Sequence, residues 1–222
     1  MSTESTLSAV QKNNESFVVY IIMFLNVLIL IFIIGYIYYL KNLKSSECNS
    51  MNDLYPSLDG YIRPISTSLP DFSGCLYDYY IKTAYNACSG GDYTNDYVDI
   101  CNLKSVLKQG VRGLDFEIFS ENNEPVVATS TSDSYYIKQT FNSAKFSDVM
   151  STINDYAFSN GTAPNYSDPI IIHLRCMSTN QNMYTNLANI FSSYDNILLG
   201  SEYSFESQGT NFGKVKLTDL MN

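Results

Sequence analysis

A chain of 222 residues has room for one medium domain, or for a smaller domain and an anchor. Its formal charge of −9 and pI near 4.5 exclude nucleic acid as a partner, because phosphates demand basic patches. They equally exclude docking on anionic lipid by charge alone.

The first 16 residues, MSTESTLSAVQKNNES, are polar and predict a flexible tail over 1–16. Residues 17–40, FVVYIIMFLNVLILIFIIGYIYYL, carry no formal charge over about 24 positions, enough for a helix to cross a hydrocarbon core of about 30 Å. A cleaved signal peptide would have a shorter apolar core, roughly 7–15 residues, and a small-residue cleavage site behind it. A buried soluble helix would not carry tyrosines at both ends and lysines just beyond. We therefore expect a single transmembrane helix over 17–40 that contacts the lipid bilayer and tolerates Asn26 as its one clearly polar side chain. Lys12 alone precedes the span, whereas Lys41, Lys44 and Arg63 follow it, which predicts the large domain on the cytoplasmic side. Cys48, Cys75, Cys88, Cys101 and Cys176 are odd in number and show no CxxC or zinc-finger spacing, so reduced, mostly buried thiols are expected. Sequons at Asn14, Asn160 and Asn165 would matter only in a lumenal chain.

Residues 41–70 read as a linker, punctuated by Pro56, Gly60, Pro64 and Pro70. From Asp71 the pattern alternates. YYIKTA (Tyr79 to Ala84) reads as a strand, and YVDICNLKSVLKQG places Ile100, Leu103, Val106 and Leu107 on one helical face before Gly110. VRGLDFEIF and EPVVATS follow as strands. FSDVMSTINDYAFSNG spaces Phe146, Val149, Ile153 and Ala157 as a helix, with Ser143 or Ser147 as N-cap and Gly161 past its end. PIIIHL is an apolar run of the kind covered on both faces in a parallel sheet. QNMYTNLANIFSSY is a helix and NILLG a strand. Strands alternating with helices predict βα units and a parallel sheet or barrel, with chemistry at the C-terminal ends of the strands. CSGGDYT lacks the lysine of a phosphate-binding loop and is expected to be a simple loop. The tyrosines, 19 of them and clustered in YDYY, DSYY and NYS, are taken as composition rather than as an interaction surface.

LKQGVRGLDFEIFSENNEPVV, then FSDVMSTINDYAFSNGTAPNYSDPIIIHL, then a helix and NILLG, resembles the X region of phosphoinositide-specific phospholipase C and the PLC-like phosphodiesterases, over about residues 79–222. The resemblance implies a partial (β/α) TIM-barrel-like domain over 71–222, expected to continue past Asn222. It also implies chemistry that uses two histidines and a calcium ion held by carboxylates and an asparagine. This chain departs from that set. KTAYNAC puts Tyr85 at the first histidine position and keeps Asn86, and EPVVATS puts Thr129 at the second. Asp115 and Glu117 keep the carboxylate pair, with Asp and Glu exchanged, and side chains two apart on a strand share a face. IHLRCMS places Arg175 where the family has a further glutamate. Guanidinium has no acceptor and cannot ligate a cation, but it can neutralise two buried carboxylates. Asn86, Asp115, Glu117 and Arg175 are thus expected to be a vestigial metal site without metal or other cofactor, held by Arg175. The lone His173 is expected to be a packed or hydrogen-bonded structural residue.

The resulting expectation is a membrane-anchored, catalytically inactive PLC-like domain that works as a scaffold with protein partners. An Asn-, Tyr-, Ile-, Lys- and Ser-rich composition fits a virion protein of a large DNA virus, with the helix in an inner membrane and the domain facing the capsid. Two alternatives remain. One is a phosphodiester hydrolase with a site rebuilt from Asp115, Glu117 and His173, dependent on calcium if it follows the family. The other is a lipid-headgroup module using Lys82, Arg112, Lys138 and Arg175.

Overall fold

The computed structural model describes residues 2–131, 137–204, 206 and 211–221, with side chains from residue 17 onward. Tyr135 and Tyr136 of the DSYY stretch lie outside the described residues. The chain divides into two compact units, Met1–Ser45 and Ser46–Asn222.

The first unit belongs to one helix, α1 (Ser2–Leu54), which is long and apolar enough to cross a membrane. Its apolar side chains from Phe17 to Tyr39 are exposed along its length. Asn26 turns its Nδ2 back onto the Ile22 carbonyl at 2.8 Å, so its amide finds an acceptor within the helix. The polar stretch before the span is helical, and the stretch after it stays helical to Leu54 rather than opening into a linker at Lys41. Pro56 supplies the stop, because the residue ahead of a proline is pushed out of the helical region.

The second unit is mixed α/β, a curled half-barrel sheet backed by helices. Its elements are β1 (Thr83–Ala84), α2 (Ile100–Lys108), β2 (Gly113–Glu121), β3 (Glu124–Ala128), β4 (Ala144–Lys145), α3 (Phe146–Ala157), β5 (Ile171–Cys176) and α4 (Gln181–Ser192). β2 is the centre: β1 and β5 pair with it in parallel, and β3 pairs antiparallel. Leu114, Phe116 and Ile118 send their side chains into one apolar cluster with Leu103 and Leu107 of α2, Phe146, Val149, Met150 and Ile153 of α3, and Met183 and Leu187 of α4. The intervening Asp115 and Glu117 therefore share the opposite face.

Four sequence expectations change here. The sheet is mixed, because Asn122 and Asn123 both take positive φ, 52° and 69°, and close a two-residue hairpin between β2 and β3. Asparagine tolerates that backbone, and the twist of such a turn sends EPVVA back alongside β2. YYIKTA contributes only Thr83 and Ala84 as ladder pairs, because Lys82 offers its carbonyl to both Arg112 N and Gly113 N and Asn86 then turns away at φ 47°. NILLG is no strand: Tyr194 O caps a short 3-10 turn over Asp195–Ile197, so among the described residues β5 has β2 as its strand neighbour and no other. α3 begins after Lys145 without a side-chain cap, because Ser143 spends its hydroxyl on Glu121.

Cysteine chemistry differs as well. Cys48 and Cys101 form a disulfide, while Cys75, Cys88 and Cys176 are free thiols.

Candidate active site and its resident guanidinium

The parallel register of β2 and β5 sets Asp115 opposite His173 and Glu117 opposite Arg175. All four side chains emerge on the face away from the helices, since both strands alternate with period two. β1 delivers the third element: after Ala84 the chain turns through Asn86, whose backbone N–H donates to Asp115 Oδ1 at 3.2 Å. The same carboxylate thereby fixes the turn that aims the Asn86 amide inward, and Asn86 is 2% exposed.

Arg175 lies among these groups. Its Nη1 donates to Glu117 Oε1 at 2.6 Å, its Nη2 to Asp115 Oδ1 at 2.7 Å and to Asn86 Oδ1 at 2.8 Å, and its Nε to both Asp115 oxygens at 3.2 Å. Ser130 N donates to the second Glu117 oxygen at 2.9 Å. Tyr85 covers the guanidinium from outside, with its ring centroid 4.4 Å from Cζ, and the Tyr93 ring meets Tyr85 edge-on at 5.7 Å. Asp115 and Glu117 are 5% and 2% exposed, so unpaired charges there would be costly. Burial pushes the Asp115 carboxyl up, and hydrogen bonds from Arg175, His173 and Asn86 overcome it to leave the group below the ordinary carboxylate value. Burial would lower Arg175, but Asp115 and Glu117 outweigh it and push its pKa up, so it is permanently charged.

The contact expected between Arg175 and the two carboxylates is present, and Asn86 joins it. Asn86, Asp115 and Glu117 thus all present oxygens to the guanidinium. A divalent cation would have to enter against a fixed positive charge that already uses the donor oxygens, so these residues do not fit the ion. Asp115 and Glu117 already occupy the guanidinium donors that a phosphate would need.

Of the two structural roles expected for His173, the hydrogen-bonded one is present and core packing is not: its side chain is 67% exposed, with Nδ1 2.6 Å from Asp115 Oδ2. The signal was in the sequence, because positions 173 and 175 of one strand must face the same way. Thr129 is buried and donates its hydroxyl to the Tyr93 carbonyl. The four basic residues considered for a headgroup site do not all meet in one cleft. Lys82 pairs with Asp59 at 3.3 Å and Lys138 with Glu121 at 3.1 Å. Arg112 is buried and donates to the carbonyls of Ala157 and Asn165. Lys82 and Arg112 line a cavity of about 250 Å³ beside the start of β2 and β5, away from Arg175.

The family model described as phosphatidylinositol-specific phospholipase C, X domain, matches residues 72–210. No curated protein matches the chain. Among solved structures, PLC21 of S. officinalis is 20% identical with a TM-score of 0.47, over 58% of this chain and 15% of that one. PLC21 of L. pealei is 19% identical with a TM-score of 0.46, over the same shares. The chain thus spans about 15% of the length of these structures.

Proposed function

Because the chain belongs to the family of the phosphatidylinositol-specific phospholipase C X domain, we propose that it is a membrane-anchored, catalytically silent form of that domain with a scaffolding role. The observation that supports this is Arg175 hydrogen-bonded to Asn86, Asp115 and Glu117 at once. In this reading an internal cation takes over the charge balance of the carboxylates, and Tyr85 and Thr129 stand at the positions of the family's two histidines. What remains is a rigid α/β body on an apolar helix. In this reading α1 crosses a bilayer through residues 17–40, and the domain meets a protein layer on one side of it. An inner virion membrane and its capsid are one such pair.

The test is calcium calorimetry on the full chain in detergent, with phosphatidylinositol cleavage assayed in parallel and Arg175→Glu as the comparison. The expected result is neither binding nor turnover by the unaltered chain, and measurable calcium binding by Arg175→Glu. Calcium binding with turnover by the unaltered chain overturns the reading.

One observation favours a second reading, a phosphodiester hydrolase with a rebuilt site. Asp115 holds His173 Nδ1 and leaves the other ring nitrogen on an exposed side chain, an arrangement able to take and return a proton. In that case His173→Ala abolishes a calcium-independent turnover that the unaltered chain displays. A lipid-headgroup module has less support, because its four basic residues do not all meet in one cleft and the Arg175 guanidinium is already bonded to Asp115 and Glu117.

A further inference from the structure

The last turns of α1, from residue 46 on, belong to the same compact unit as the sheet. Cys48 on these turns is bonded to Cys101 at the start of α2, joining positions 53 apart in sequence. One residue earlier, the Glu47 side chain rests against Gly90, close enough that a methyl on Gly90 would meet its carboxylate at 2.7 Å. Glu47 also shares a hydrogen bond with Asp96. Both attachments land on one segment, residues 88–101.

That segment is a bracket with its own internal bonds. Ser89 bridges Val98, Asp99 N donates to the Cys88 carbonyl at 2.8 Å, and Asn102 Nδ2 donates to the same carbonyl at 3.2 Å. Its middle reaches the Arg175 cluster. The Tyr93 carbonyl accepts the Thr129 hydroxyl, and the Tyr93 ring meets Tyr85, which covers the guanidinium. A continuous chain of contacts therefore runs from Cys48 to Arg175.

We propose that the Cys48–Cys101 bond is a redox-sensitive clamp, fastening loop 88–99 to the end of α1 and so holding Tyr93 and Tyr85 over the Arg175 cluster. The clamp goes beyond the scaffold reading and holds whether or not the cluster is silent. It closes by thiol–disulfide exchange with a donor disulfide: one cysteine thiolate attacks a donor sulfur to give a mixed disulfide, and the second cysteine displaces the donor. Two protons and two electrons leave the pair, and the donor departs as two thiols. Reduction by a small dithiol runs the same steps backward. Cys48 and Cys101 are half-buried, within reach of such a partner, whereas Cys88 is fully buried with its thiol pushed up by burial and is inert. A bond retained in the cell places this unit where disulfides persist, against the cytoplasmic side that Lys41 and Lys44 suggest.

The test uses the full chain in detergent, purified without reductant. Denatured protein is labelled with a maleimide before and after reduction, non-reduced peptides are mapped, and native hydrogen exchange is followed in both redox states. Three thiols should label before reduction and all five after it, with the linked peptides containing Cys48 and Cys101. Reduction should speed exchange in 88–99 by about tenfold or more while α3 is unchanged, and Cys48→Ser should behave as the reduced chain. Five labelled thiols before reduction, a different linked pair, or unchanged exchange in 88–99 would each overturn the clamp. So would equal acceleration in α3, which would make the bond a staple of the whole domain.

Discussion

Replacing Arg175 by Met isolates what the guanidinium does, because the variant keeps an unbranched stem beneath Tyr85 and removes only the charge and its hydrogen bonds. Asp115 and Glu117 then stay buried, at 5% and 2% exposure, with no cation between them. Breaking a buried pair from one side costs about 3–5 kcal/mol. Solvent reaches 26% of the Arg175 side chain, which favours the low end, so we expect about 3 kcal/mol. For a domain of this size that corresponds to a Tm lower by roughly 6–12 °C in calorimetry of the full chain at pH 7.

The pH dependence supplies the sign. In the unaltered chain Asp115 lies below its ordinary value of 3.8, so its contribution is present above that pH and lost as pH falls through the depressed value. In Arg175→Met burial dominates and the carboxyl rises, so acidification from pH 7 toward 4 relieves the variant while the unaltered chain gains nothing. The Tm gap should therefore narrow at pH 4. A drop below about 2 °C at pH 7, or a gap that does not change with pH, would refute the claim that Arg175 neutralises buried carboxylates.

Four further outcomes are expected. Phe116→Ala removes a fully buried ring that meets Phe146 edge-on at 6.4 Å, and should cost about 3–5 kcal/mol in denaturant unfolding. Gly113→Ala sets a methyl against the Thr83 side chain where β1 pairs with β2, for a loss of about 1–3 kcal/mol that Thr83→Ala in the same chain should largely restore. Glu47 is pushed up to about 8, by burial first and then by Asp96, Asp92 and Asp99, all acidic groups facing it. Its contact is therefore fully stable below about 4.5 and lost as pH rises through about 8, so rate-corrected hydrogen exchange of 88–99 in Cys48→Ser should accelerate over that window and Glu47→Gln should remove the dependence. Ile29→Arg places a charge in the middle of the apolar span at about 2.5–3.5 kcal/mol on an insertion scale, and should shift the chain toward the carbonate-extractable fraction.

Local pattern was enough for much of the domain. The 3.6-residue spacing of Leu103 and Leu107, and of Phe146, Val149 and Ile153, marked α2 and α3, and each of these side chains is buried. Alternation along GLDFEIF placed Asp115 and Glu117 on one face before any partner strand was known. Arg175 was legible as their counter-charge because a guanidinium has donors enough to bond two buried carboxylates at once.

Tertiary structure decided what depends on which distant segments meet. Period-two alternation identifies the face of a side chain but not its neighbour, so only the β2–β5 register set His173 against Asp115 rather than in the core. The direction of β3 rested on two asparagines at positive φ, and the failure of NILLG to pair rested on a short turn, both choices that hydrophobic pattern does not encode. The union of Cys48 with Cys101 was likewise invisible, because 53 intervening residues give a spacing with no meaning until the end of α1 is folded against α2. Sequence determined the apolar helix, α2, α3, the central strand and the residue types of the cluster through local sterics and burial. Register and long-range closure, set by the packed chain as a whole, determined which of those residues touch.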